Sequence, residues 1–216
     1  MDQALVCIDT ETATMQGAPH LLELGAVRVV DGEIEDTFES LVCPVVPIDP
    51  GTTAIHGLTD RDVAQAPFAA EVLRRFREWV GDDPMAAHNA PFDTRVLAFE
   101  YQRAGIEPPT GAFLDSLPLS RRWIPEATDH KLLTLCQMLD LDEGQHHRAL
   151  SDAVWCWKIV EECLHRAEEA TPQTPGKPGR LMKRKAEPHH EHQDDEAANN
   201  QSFLFFHVRP PPSHRW

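Results

Sequence analysis

The chain has 216 residues, with 35 Asp and Glu against 20 Lys and Arg and a formal charge of −15. That length holds one well-buried domain and a tail and excludes two full domains. So acidic a protein is excluded from tight nonspecific adhesion to nucleic-acid phosphates unless bound cations neutralise some of its acids.

The charge is uneven. Residues 1–170 hold 13 Lys and Arg against 30 Asp and Glu, whereas residues 171–216 hold 7 against 5. The five cysteines form no CxxC pair, and Cys7, Cys136, Cys156 and Cys163 fall in apolar patterns, as reduced core residues do. The start "MDQALVCID" is acidic and lacks a signal-peptide layout. No stretch approaches the roughly 18 apolar residues of a membrane span. A soluble, cytoplasmic protein with no membrane partner is expected.

In chain order, Ala4 to Ile8 reads as a buried strand. Leu21 to Val30 and Glu33 to Val42 follow as strands joined by Asp31-Gly32, a strong hairpin signal. Residues 44–57 read as a Pro- and Gly-rich loop, and Thr59 can cap a short helix over Asp60 to Ala64. The spacing of Val72, Leu73, Phe76, Trp79 and Val80 predicts an amphipathic helix. Met85 to His88 is a short strand, and a helix starts near Pro91, a residue well suited to a first turn. A brief strand over Ala112 to Leu114 and helices over Ser116 to Trp123, Lys131 to Leu139 and Ala149 to Ala170 complete an α/β pattern with a mixed sheet.

At Thr171 the composition changes. Residues 171–200 are rich in Pro, Gly, His and charge, with few large apolar residues, and are expected to be a disordered linker. Residues 201–216 become apolar and aromatic again.

Four carboxylates stand out. Asp9 and Glu11 in "CIDTET" lie two apart, so on an extended segment both side chains share one face and can chelate one ion. A solvated turn would also account for the pair. Asp93 in "AHNAPFD" falls in the first turn of a helix, where the macrodipole favours negative charge, with or without a further role. In "HHRALSD", His147 and Asp152 are five apart, about 140° around a helix axis, so His147 in the preceding loop or first turn could reach the same site, and a surface histidine followed by a helix-start aspartate would also account for the pair. A neutral imidazole suits general-base work near neutral pH. Acids at the end of an apolar run are costly to bury unless compensated, and carboxylates favour Mg²⁺ or Mn²⁺.

In order, "DTET", "HNAPFD" and "HRALSD" resemble the three exonuclease motifs of the DnaQ-like, or DEDDh, superfamily of 3′-to-5′ exonucleases. The resemblance covers residues 5–165, including "LLELGAVRV" and "AIHGLTD". Within the superfamily, exonuclease X and the epsilon-type proofreading subunit of DNA polymerase III are most similar. The resemblance implies an α/β, ribonuclease H-like fold, a five-stranded mixed sheet flanked by helices, with the exonuclease domain over 1–170. It implies that Asp9, Glu11, Asp93 and Asp152 bind two Mg²⁺ or Mn²⁺ ions and that His147 deprotonates the attacking water. Nucleoside 5′-monophosphates would then be released from single-stranded or frayed DNA 3′ ends, in repair or proofreading.

Thr10, Glu11 and Thr12 would meet the terminal sugar or phosphate, Asn89 would join the substrate-binding set, and His56 and Phe92 would pack around the terminal nucleotide, where stacking tolerates any base. Phe92 also fits plain helix core. "DTETAT" departs from the family-like "DTETTG", which puts the 3′-end contacts in question. An RNA 3′-exonuclease shares these residues and is the alternative. In the tail, Gln201, Leu204 and Phe206 resemble the QxxLxF motif that docks bacterial proteins on the sliding clamp, so a non-catalytic, clamp-tethered nucleic-acid-binding module is a third reading.

Overall fold

A computed structural model describes residues 4–14, 16–141 and 147–170. Its centre is one five-stranded sheet in the order β3-β2-β1-β4-β5. β1 is Leu5–Thr12, β2 Leu21–Val30, β3 Glu33–Leu41, β4 Met85–Ala87 and β5 Phe113–Asp115. β1 pairs antiparallel with β2 and parallel with β4. It lies mid-sheet and, unlike the expected strand, continues through the DTET residues.

Asp31 and Gly32 both have positive φ, 51° and 88°, as a two-residue hairpin turn of the primed type requires. The expected loop over 44–57 instead contains a helix, α1, Pro50–His56. Its punctuation is in the sequence. The Asp49 side chain accepts from the Gly51 amide, Pro50 fills the first turn, and Gly57 closes the helix at φ 76°. α2, Asp60–Val63, carries the anticipated cap, in which Thr59 and Asp62 satisfy each other's backbone amides.

Helices cover both faces. α3, Ala69–Val80, and α4, Pro91–Ala104, pack on one, where Val6, Ile8, Leu24 and Ala26 meet Val72, Phe76 and Leu97. α5, Ser116–Trp123, α6, Leu132–Met138, and α7, Ala149–Ala170, lie on the other, where Cys7, Val27 and Val29 meet Cys156, Trp157 and Val160. The period-two alternation of β1 and β2 assigns each residue to its face. All five cysteines are free thiols, four of them buried. No helix among the described residues is long and apolar enough to cross a membrane.

Candidate active site

Asp9 and Glu11 follow Cys7 in the alternation of β1 and so point to the α7 face. Across the ladder their β2 partners are Gly25, opposite Asp9, and Glu23, opposite Glu11. A Cβ on Gly25 would stand 2.1 Å from the Leu150 backbone nitrogen and 2.2 Å from the Ala149 carbonyl carbon. The missing side chain therefore lets the first turn of α7 rest on the strand and brings Asp152 to the carboxylates of β1. Thr10 points to the opposite face, and its hydroxyl donates to Asp93 Oδ1 over 2.7 Å. Asp93, in the first turn of α4, is 1% exposed.

One ligand atom from each of Glu11, His147 and Asp152 lies within 4.8 Å of the others. Asp9 and Asp93 stand close enough for their charges to act on each other, and both act on Glu11 or are acted on by it. His147 reaches this cluster from the residue pair preceding α7, with φ 58°, in the left-handed region that side chains with a Cβ rarely adopt. The three sequence-distant motifs thus converge on one place.

The electrostatics are those of a site built for positive charge. Burial, then Asp93, Asp152 and Glu11, raise the Asp9 carboxyl well above its ordinary range. Burial, with Asp152, Glu23 and Asp93, pushes Glu11 up to about 8. Asp152 rises to about 7 through burial, despite a hydrogen bond from the His147 backbone. Asp93 also rises to about 7 through burial, which outweighs the Thr10 hydrogen bond. The cation that opposes this for Glu11 is Arg148, whose guanidinium is already held by Glu23.

These residues fit a divalent cation. Among the described residues, no hydrogen-bond partner meets the buried Asp152 Oδ1, and a hard ion is a partner that would satisfy it. The carboxylate oxygens of Asp9, Glu11, Asp93 and Asp152 are donors of the kind that suits Mg²⁺ or Mn²⁺.

An exonuclease family model, of the RNase T type, matches residues 6–160. The chain belongs to this exonuclease family. Its relatives and structural neighbours are DEDDh exonucleases and the exonuclease regions of PolC-type polymerases, and exonucleases of this kind depend on divalent metal. The DNA polymerase III PolC-type protein of Oceanobacillus iheyensis is 37% identical over 170 residues, 76% of this chain. The chain spans about 12% of the length of the curated relatives it matches. Exonuclease X, solved in complex with 5′ overhanging duplex DNA, superposes with a TM-score of 0.63 at 30% identity, covering 76% of this chain and 93% of that one. A DEDDh nuclease domain solved with rAMP has the same fold, with a TM-score of 0.66 at 19% identity over 76% of this chain and 92% of its own.

The other residues singled out in the exonuclease's sequence are placed as follows. Phe92 is 46% exposed, so it is not helix core, and it lies in the first turn of α4. Asn89 is exposed at φ 66°. Thr12 is 7% exposed and its hydroxyl donates to the Thr14 carbonyl at 3.3 Å. His56 is 7% exposed, its Nδ1 accepts from the Leu58 amide at 3.0 Å, and burial lowers its pKa. Gln201, Leu204 and Phe206, the proposed clamp-binding residues, lie outside the described residues and beyond the region the family model matches.

Sequence reasoning missed Glu23, Gly25 and Arg148. The signal was present: a glutamate and a glycine interrupt the otherwise apolar "LLELGAV" run. It also missed the role of His88. That ring pairs with Ser116 Oγ at 2.8 Å and with the His130 carbonyl at 2.8 Å, so it ties the end of β4 to α5 and to the segment before α6.

Proposed function

We propose that the chain is a metal-dependent 3′-to-5′ exonuclease that hydrolyses DNA to nucleoside 5′-monophosphates in replication or repair. The observation that carries the reading is the meeting of Glu11, His147 and Asp152 within 4.8 Å, beside Asp9 and Asp93. The likeness to exonuclease X, solved with DNA, and to PolC-type polymerases supports DNA over RNA.

Asp9, Glu11, Asp93 and Asp152 would hold two Mg²⁺ or Mn²⁺ ions. Bound there, the ions supply charge neutralisation at the attacking and leaving oxygens of an in-line displacement. Thr10 fixes the rotamer of Asp93 through its hydroxyl, and Gly25 sets the distance from β1 to Asp152. The His147 imidazole accepts a proton from the attacking water at its ring nitrogen. As the water oxygen bonds to phosphorus, the P–O3′ bond breaks, and the departing 3′-oxygen takes a proton from solvent. The product keeps the phosphate on its 5′ side. Phe92, half-exposed and next to Asp93 in the chain, offers a stacking surface for the terminal base. His56, Asn89, Thr12 and the backbone of Thr10 complete the proposed substrate contacts.

The test is hydrolysis of end-labelled single-stranded DNA, duplex DNA and RNA by the purified protein with Mg²⁺ or Mn²⁺. Mononucleotide release from DNA 3′ ends is expected. Faster hydrolysis of RNA would shift the assignment to an RNA 3′-exonuclease, and binding without hydrolysis would leave a nucleic-acid-binding module.

A further inference from the structure

Glu23 is 0% exposed, yet it is a carboxylate near the start of β2. Such a group is tolerated in the interior only when its lone pairs are filled. Glu23 Oε1 accepts from Arg148 Nη2 at 2.8 Å and Nε at 3.0 Å, and Glu23 Oε2 accepts from the Ala149 amide at 3.2 Å. The guanidinium fork and the first amide of α7 thus seize one carboxylate. Arg148 also reaches Glu39 on β3 at 3.3 Å, so two strands hold it.

The residue before Arg148 is His147, in a left-handed conformation that costs energy for any residue with a Cβ and persists only where its surroundings impose it. On its C-terminal side it is pinned by the Arg148 fork, and its backbone hydrogen-bonds to the Asp152 side chain. Glu23 also lies directly across the ladder from Glu11, on the same face. The strand that aligns the acid of motif one therefore also anchors the residue next to the imidazole.

We infer that Glu23 and Arg148 are positioning residues: their bidentate pair, closed by the Ala149 amide, holds His147 in its left-handed conformation so that the imidazole faces Glu11 and Asp152. The inference rests on the reading of His147 as the proton acceptor. Charge alone does not do this. A lysine at 148 keeps the positive charge but has no planar fork, so it cannot fix the backbone in the same way. A phosphate-gripping role for Arg148 makes a different prediction, since losing a uniform substrate contact raises KM and leaves kcat in place.

The test is a double-mutant cycle on single-stranded DNA with Arg148→Lys and His147→Ala, read with excess enzyme so that slow variants are measurable. Arg148→Lys should lower kcat roughly tenfold or more with KM little changed, and in the His147→Ala background it should add less than about twofold. In metal-free protein, Glu23→Gln, which keeps shape and loses charge, should speed amide exchange at Ala149 while the exchange of Val27 on the same strand stays as it was. A raised KM at unchanged kcat, equal losses in both backgrounds, or an undisturbed Ala149 amide would overturn the positioning role. His147→Ala as fast as the parent would overturn the reading of the site, and the positioning role with it.

Discussion

The two faces of β1 and β2 come from the same residues taken alternately, yet they use burial in opposite ways. Toward α3 and α4, Val6, Ile8, Leu24 and Ala26 remove apolar surface from water, and Ile8 is 0% exposed. Toward α7 the strands begin in the same manner, with Cys7, Val27 and Val29. The face then turns acidic at Asp9, Glu11 and Glu23, where burial raises the pKa of Asp9 and Glu11 and the Arg148 guanidinium pairs with Glu23. One face stabilises the fold. The other holds destabilising groups in place because the first has fixed the strands that carry them, which is how a fold supports a site it would not itself favour.

Substitutions on the two faces should therefore separate stability from activity. Asp9→Ala or Asp152→Ala should lower mononucleotide release on the order of 1,000-fold, because aimed charge is lost from the reacting centre, while the metal-free melting temperature holds or rises. Ile8→Ala should do the reverse, with a loss of about 2–5 kcal/mol of stability and kcat retained below the melting range. An Asp9→Ala protein that melts early and keeps its rate would erase the contrast.

Gly25→Ala tests where the faces are coupled. With a Cβ 2.1 Å from backbone, α7 must lift off β2, so the variant should lose both stability, by about 1–3 kcal/mol, and most of its activity. Thermal melts and rates that both match the parent would show that α7 need not lie so close.

A smaller effect is expected from pH. Unfolded carboxyls titrate near pH 4, whereas Glu11 titrates at about 8 and Asp93 and Asp152 at about 7 in the folded chain. Between those limits the folded state holds more protons, so metal-free stability is greatest at the acid end and falls as pH rises through about 8. Divalent metal reverses the sign by binding the deprotonated acids, so the rise in melting temperature on adding Mn²⁺ should grow from about pH 5 to about pH 8. A pH-independent rise would place the metal elsewhere.

Much of this was legible beforehand because the signals were local or alternating. Asp31-Gly32 demanded a turn, and the DxE spacing on an extended segment put two acids on one face. The helix over Pro50–His56 was lost although Asp49, Pro50 and Gly57 all marked it, because turn-forming residues dominate the segment and its apolar period is too short to read. Glu23, Gly25 and Arg148 escaped for another reason. The break in the apolar run marks Glu23 and Gly25, but what they do depends on the β1–β2 register and on α7 crossing that pair, and the contacts with α7 join residues more than a hundred apart in the chain. Thr10 has a second role that its motif position did not show: its hydroxyl donates to Asp93.

The central claim is that Asp9, Glu11, Asp93 and Asp152 form one cation site. Calorimetric titration of Mn²⁺ into metal-free protein at about pH 8, for the parent, Asp152→Asn and Ile8→Ala, tests it most directly. The account predicts saturable binding by the parent and by Ile8→Ala, and affinity lower by on the order of 100-fold in Asp152→Asn, as loss of a ligand should cost no less than loss of its supporting hydrogen bonds. Equal affinity in Asp152→Asn and the parent would contradict it.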